Sequence, residues 1–280
     1  MIIQRQKEKC THCMLCMRDC VYGVWREIDG EPEPVEPDLC NKCSHCIAVC
    51  PADAVIHTGL DPAQAVKIDR RNLDPALYRD IVLSRRSVRR YSDKPVPREL
   101  IEKIIDTARY SPTGSNEQNV GYNVITDRKL IAAKSATVFS FAERIFKKGI
   151  GQYIFNFLGS SGSRYMKLFN YARGERKTSG RDFIFYNAPV LILIHAPKKS
   201  RSAGENCTIA ATNITNYAHT LGLGTCFIGL FTTALKFSGK LREGLNIPHD
   251  RHVYICLILG YPAYRFAKIV SRKPVSITWV

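Results

Sequence analysis

Apolar residues recur at helical spacing at several points along the chain and form strand-length runs at others. After Pro97, the positions Leu100, Ile101, Ile104, Ile105 and Ala108 fall on one face, which predicts an amphipathic helix. From about Glu205 to Leu221, Ala210, Ala211, Ile214, Tyr217, Ala218 and Leu221 share the same spacing and predict a buried helix. A shorter helix is expected over Ala76 to Leu83, opened by Asp74 as N-cap and Pro75 at the first helical position. Alternation near Tyr122 to Thr126 predicts a strand, and Val190 to Ile194 and Val253 to Leu259 are apolar runs of strand length. No run approaches the roughly 20 residues needed to span a bilayer. The expected protein is soluble and cytoplasmic, with no transmembrane segment.

Composition and charge divide the chain. Its 280 residues are 45% apolar, enough for a small first segment and one further domain with a real core. Residues 1–60 hold 6 Lys and Arg against 9 Asp and Glu, a net of −3, which leaves +19 of the formal +16 for the remainder. Residues 61–73 read as a polar linker and 74–280 as the larger domain. Within it, residues 142–182 carry nine Lys and Arg against three acids, interleaved with Phe146, Tyr153, Phe155, Phe157, Tyr165, Phe169 and Tyr171. That insert reads as amphipathic helices packed on the core or across a dimer interface. The sharper alternative is a lid that recognises an anionic or aromatic substrate, with a membrane-surface role weaker still. A basic surface also suits an acidic protein donor, while nucleic acid is not an expected partner.

One cysteine pattern occurs twice, thirty positions apart: Cys10, Cys13, Cys16 and Cys20, then Cys40, Cys43, Cys46 and Cys50 followed by Pro51. Each run reads C-x2-C-x2-C-x3-C, the spacing that holds [4Fe–4S] cubanes. Structural zinc is the rival reading, but four ligands would leave one cysteine of each run idle. Disulfides belong to small secreted chains and are a weaker rival. His12 and His45, inside the runs, read as outer or surface residues. Cys207, Cys226 and Cys256 stand in apolar stretches and read as core residues.

Residues 1 to about 60 resemble a bacterial two-cluster ferredoxin. The resemblance assigns Cys10, Cys13, Cys16 and Cys50 to one cluster and Cys40, Cys43, Cys46 and Cys20 to the other. Val21 stands where that family usually has proline. The stretch GEPEPVEPD, residues 30–38, is expected to be an extended surface loop with no core of its own.

The run Ser84 to Tyr91 and the loop Tyr110 to Gln118 bring in a second family. Arg85, Arg86, Ser87 and Arg89, followed after one helix by Pro112, Thr113, Asn116 and Gln118, resemble the opening of the FMN-dependent nitroreductases. The segment from Gly222 to Gly229, with Phe227 and Ile228, resembles that family's G-L-G-T-C-x-I-G turn. Arg272 and Lys273, after the strand-closing Leu259 to Pro262, match its basic pair. The resemblance implies that the arginines, Ser87, Arg272 and Lys273 hold the FMN phosphate and ribityl chain, and that Pro112, Thr113, Asn116 and Gln118 approach the flavin. It also implies a backbone N–H from Ile228 or Gly229 near N5. Asn119-Val120 replaces a common Pro-Trp.

The implied fold is α+β, a nitroreductase-like mixed sheet flanked by helices, with a small N-terminal ferredoxin-like 2[4Fe–4S] domain. The resemblance further implies an intertwined homodimer in which Ser276 to Val280 are exchanged as a strand. The expected cofactors are FMN and two [4Fe–4S] clusters. Electrons would pass from an acidic ferredoxin or flavodoxin, less securely from NAD(P)H, through the clusters to FMN and on to a small electrophile such as a nitroaromatic or quinone. No catalytic side chain is expected beyond those that position the cofactor. The alternative is an electron-transfer subunit serving another protein.

Overall fold

The structure, a computed structural model, describes residues 1–70, 73–147 and 161–280, and the side chains in that range except those of 144–147 and 161–166. It divides into two compact units, Met1–Asp74 with Ser115–Glu117, and Pro75–Gly114 with Gln118–Val280.

The first unit is built on the thirty-residue repeat. Helices α1 (Leu15–Asp19) and α2 (His45–Val49) stand at equivalent places, entered through left-handed Met14 (φ 59°) and Ser44 (φ 63°). His12 and Lys42, two residues earlier, are left-handed as well (φ 53° and 58°). Positive φ is uncommon for such side chains, and its recurrence at the same steps makes each cysteine loop curl the same way. Strand β1 (Ile3–Arg5) pairs antiparallel with β4 (Val55–His57), so the two ends of the unit close on each other. Ile3, Val24 and Trp25 form a small core on which Cys16, Cys20, Cys40 and Cys46 pack.

The acidic, proline-rich stretch departs from its expected form. Trp25–Ile28 (β2) and Glu31–Pro34 (β3) make an antiparallel hairpin around Asp29 and Gly30, both at positive φ, as a two-residue loop requires. Glu31 and Glu33, two apart, lie on one face of β3. Both bind the Arg5 guanidinium, Glu33 at 2.6 Å, and the Arg5 side chain is only 3% exposed. Pro32, between the two acids, is buried.

The second unit carries a four-stranded sheet in the order β5-β6-β8-β7, where β5 is Gly121–Ile125, β6 Val190–Pro197, β7 Gly224–Phe227 and β8 Arg251–Gly260. Its strands all pair antiparallel. The expected mixed character is reduced, among the described residues, to one parallel bridge between Ser87 and Thr225. The apolar run in β6 is continuous because both faces of the strand are covered. Val190, Ile192 and Ile194 meet Ile101, Ile104 and Ala108 of α4 (Arg98–Ala108) and Ala211, Ile214 and Ala218 of α7 (Ala203–Thr220). Leu191 and Leu193 face the other layer, with Val138, Phe139, Phe185 and Phe231.

A helix, α3 (Pro75–Ser84), precedes the arginine run as expected. Around the insert, α5 (Arg128–Lys147) and α6 (Ser161–Ser179) are joined where Phe139 stacks on Phe169 at 5.2 Å and Arg173 meets Glu143 at 2.9 Å. Residues 148–160 of the expected insert, with Tyr153, Phe155 and Phe157, lie outside the described residues. Cys207, Cys226 and Cys256 are all buried. Burial pushes the Cys207 thiol up to about 12 and raises those of Cys226 and Cys256, as core cysteines require. After β8 the chain forms neither helix nor strand beyond the bridge Tyr91–Pro262, so residues 276–280 make no strand in the single chain. No described helix is long and apolar enough to cross a membrane.

Candidate functional site

In the first unit the eight cysteines are divided four and four. Cys10, Cys13, Cys16 and Cys50 line one small cavity together with Arg5 and Trp25. Cys40, Cys43, Cys46 and Cys20 line another with Trp25, His45 and His57. Each cavity thus takes its fourth thiol from the other repeat. Among the described residues no three His, Cys, Asp or Glu groups converge to hold a single metal ion. Donors to sulfur are already in place: Lys42 N–H to Cys40 Sγ at 3.3 Å and Ala54 N–H to Cys50 Sγ at 3.2 Å. Burial raises the Cys46 thiol to about 11, and hydrogen bonds from Trp25 and the Ile47 amide oppose that rise. Such donors favour the charged sulfur over the neutral one.

Sequence reasoning missed Arg5, Trp25 and His57 as residues of these cavities. His57 Nε2 lies 3.3 Å from Cys40 Sγ, and burial lowers the ring's basicity. Arg5 lines the other cavity, and its Nε is buried with no protein partner. His45 turns to Asp19 at 2.9 Å and His12 lies 3.5 Å from Glu31, so both fit the expected outer role.

In the second unit Gly224 allows the arginine run to lie against β7. A Cβ there would meet Val88 Cγ2 at 2.4 Å, and the two segments are joined by Val88 N–H donating to Thr225 O at 2.9 Å. This contact brings Arg85, Ser87 and Arg89 round Cys226, whose thiol is raised by burial and lowered again by Arg89, Ser87 and Arg85. Among the described residues none of Arg85, Arg86 and Arg89 is ion-paired with a carboxylate within 4.0 Å. His219, hydrogen-bonded to Ser84 Oγ at 2.8 Å, has its pKa lowered by burial and by Arg85, so it adds no acid or fixed charge to the cradle at neutral pH.

Tyr186 is a positioning residue that periodicity does not reveal. It holds φ 56° beside Asn187 at φ 57°, an unusual conformation for a bulky side chain. The Arg89 guanidinium stands 5.9 Å from the Tyr186 ring centre. Tyr91 OH donates to Val88 O at 2.8 Å from the other side of the run. Tyr186→Leu is expected to weaken FMN binding about threefold to tenfold and Tyr186→Phe less, because Arg89 meets both the ring and the hydroxyl of Tyr186. Fluorescence titration of FMN into apoprotein measures both; equal affinity for Tyr186→Leu and wild type would remove the role.

The turn after α7 narrows one expectation. Ile228 N–H donates to Cys256 O at 2.8 Å, which leaves it committed to the sheet. Gly229 opens helix α8 (Gly229–Phe237), where the first amides have no acceptor within the helix, so the available donor is Gly229 N–H. Phe227 is 41% exposed beside it and Ile228 is buried.

The loop from Ser111 to Gln118 is tied to α7: Asn206 Oδ1 accepts from Gly114 N–H at 3.0 Å and Asn213 Nδ2 donates to Ser111 Oγ at 2.8 Å. Pro112 is exposed, Thr113 Oγ1 accepts from Gln118 N–H at 3.0 Å, and Asn116 and Gln118 are left-handed at φ 54° and 45°. Asn206 and Asn213 carry no motif; only their place on the buried helix beside the loop marks them. Arg272 and Lys273 are exposed in the irregular tail, and among the described residues no hydrogen bond or ion pair joins them to the Arg85–Arg89 segment.

Residues 82–261 match the model of the nitroreductase family. The chloronitrobenzene nitroreductase of Comamonas testosteroni is 28% identical over 198 residues, which cover 65% of this chain and 85% of that protein. The iodotyrosine deiodinase of Nematostella vectensis is 29% identical over 210 residues, 69% of this chain and 70% of that one. Among solved structures, a nitroreductase with bound FMN from Bacteroides fragilis shares the fold at a TM-score of 0.54 and 22% identity, covering 74% of this chain and all (100%) of that one. The matched span contains the arginine cradle, the turn at Gly229 and all four strands of the larger sheet: the chain belongs to the nitroreductase family and is an oxidoreductase.

Proposed function

We propose that this protein reduces small electrophiles, nitroaromatics foremost, at an FMN supplied with electrons through two [4Fe–4S] clusters. The observation that carries the reading is the partition of eight thiols into two four-sided cavities, in the sets Cys10, Cys13, Cys16, Cys50 and Cys40, Cys43, Cys46, Cys20. A small cavity lined by four sulfurs, with N–H donors aimed at some of them, fits a cubane better than a single tetrahedral ion. In the second unit three guanidiniums without carboxylate partners among the described residues, and the Ser87 hydroxyl, fit a phosphate monoester.

Bound FMN would supply the conversion of single electrons into pairs. Arg85, Arg86 and Arg89 would hold its phosphate and Gly229 N–H would donate to the ring edge. Thr113, Asn116 and Gln118 would form a polar border if a second copy brings its loop alongside. Phe227 offers an exposed apolar wall where an aromatic electrophile could lie. Each two-electron reduction of a nitro group to nitroso takes up two protons and releases water, and no side chain here is needed to supply them. The relatives in Comamonas testosteroni and Nematostella vectensis, named for nitroaromatic reduction and deiodination, support a reductive use of the site on aromatic substrates. A homodimer would also cover the tail, where Val275, Ile277 and Trp279 are 79%, 60% and 90% exposed.

The test is anaerobic purification with iron, sulfide and FMN quantitation, then turnover of a nitroaromatic with either reduced ferredoxin or NAD(P)H. The expected content is about eight iron, eight sulfide and one FMN per chain, with turnover driven by ferredoxin. Equal turnover by NAD(P)H after cluster removal would make the thiol cavities dispensable. Cluster and flavin reduction without turnover of any electrophile would favour the electron-carrier reading instead.

A further inference from the structure

Helix α8 runs from Gly229 to Phe237, about 13 Å at 1.5 Å per residue. Its far end opens on a concave surface site that shares no residue with the cradle: Lys198, Lys236, Phe237, Arg242, His249 and His252 line a cavity of about 350 Å³, open to solvent. Five of these side chains are basic, and no acid lines the cavity; Glu243 and Asp250, the acids nearest in sequence, stand outside it. From these residues we propose that the cavity binds a small ligand carrying a diphosphate group.

Isolated lysines on a surface are usually no more than solvated charge. Here three features set the group apart. The first is crowding. The His252 ring is made less basic by burial and then by Lys198, Arg242 and Lys236, so three cations bear on one imidazole with no carboxylate among the causes. A bound dianion would relieve that repulsion.

The second is that part of the lining, Arg242 and the His252 ring, is held. Arg242 is fixed from behind by its own NH2, which donates to Pro248 O at 3.3 Å and Arg251 O at 3.2 Å. The His252 ring packs edge-on against Tyr254 at 6.2 Å, and Lys198 N–H donates to Asp250 O at 3.0 Å, tying the end of β6 to the start of β8. Groups already in place lose little freedom on binding. The third is the number of donors in one cavity. Lys198, Lys236 and Arg242 supply several donors to phosphate oxygens, more than one monoanion can use, and a diphosphate offers enough acceptors to engage them.

Inorganic pyrophosphate and a nucleoside diphosphate share this chemistry. Phe237, 76% exposed at the rim, distinguishes them, since an open ring offers a stacking surface to a base but nothing to the inorganic ion.

The experiment is calorimetric titration of the FMN-loaded protein, whose own phosphate site is then filled, with pyrophosphate and separately with ADP at low salt. Saturable binding of at least one of them at about one per chain is expected. Lys198→Gln/Lys236→Gln should weaken it at least about tenfold. That variant leaves Arg242, which supports the backbone, in place, and retained FMN content shows that it folds; should FMN be lost, Lys236→Gln alone is read in its stead. ADP binding tighter than pyrophosphate, with the difference lost in Phe237→Ala, would identify a nucleotide. Equal affinities would identify the inorganic group, and either supports the site. No saturable binding of either ligand, or binding unchanged in the lysine variants, overturns it. Neither outcome bears on the flavin or cluster reading.

Discussion

Cys13→Ala is expected to cut ferredoxin-driven turnover by at least about a hundredfold while leaving FMN bound and reducible by dithionite. Cys13 is the most accessible thiol of its cavity, exposed where Cys10, Cys16 and Cys50 are half-buried, so its removal leaves no hole in the core. On the proposed reading, what would be lost is one of the four thiolates that hold a cubane. Iron content should fall from about eight per chain to about four or fewer. The FMN domain, with its own cores on both faces of the sheet, should keep its melting temperature. The decisive comparison is between donors: dithionite reduces the flavin directly, whereas a protein donor would have to use the clusters. A variant that retains full iron and full ferredoxin-driven turnover would refute the inlet.

Gly224→Ala should have the second largest effect, on the other unit. The added methyl carbon would sit 2.4 Å from Val88 Cγ2, 2.7 Å from Val88 Cβ and 2.9 Å from Val88 Cγ1. These atoms belong to a β-branched side chain 7% exposed, with little freedom to turn away. The segment carrying Arg85, Ser87 and Arg89 therefore has to lift from β7, at the cost of the Val88–Thr225 hydrogen bond. Overpacking of this kind costs about 1–3 kcal/mol. The arginines move with the backbone, so FMN affinity should fall by more than stability alone would indicate, on the order of a hundredfold where two charge-assisted contacts are lost. Gly174→Ala on α6, where a Cβ meets nothing within 4 Å, is the matched control and should bind FMN normally. FMN titration with thermal melts reads both, and undiminished FMN affinity in Gly224→Ala would show that the close approach does not set the cradle.

Much of the frame was legible because it is written in local patterns. The amphipathic face of α4 and the apolar run of β6 report burial directly, through the periods 3.6 and 2 that their backbones impose. The two cysteine runs were legible through spacing, and their division into sets through the resemblance. Other features depend on partners distant in the chain. Glu31 and Glu33 look solvated until Arg5, 26 and 28 residues away, is found between them. Ile228 looks as available as Gly229 until strand register gives its amide to Cys256. Tyr186 is left-handed without being glycine, so the residue type gives no warning. The final strand was expected by resemblance to be exchanged with a partner chain, and a single chain offers it nothing to pair with.

The crossed sourcing of thiols in the first unit makes its two halves hostages to each other. Cys50 serves the cavity of the first repeat and Cys20 that of the second, while β1 is zipped to β4. Neither half can complete a nest of four sulfurs by itself, so an excised half-unit has no stable product. Oxidative damage at one nest would loosen a helix that also anchors the other, because Cys16 lies in α1 and Cys20 just after it, and Cys46 lies in α2 and Cys50 just after it. Filling and failure of the pair are therefore expected to be collective, and a lineage that sheds one nest has to recruit a replacement thiol for the survivor.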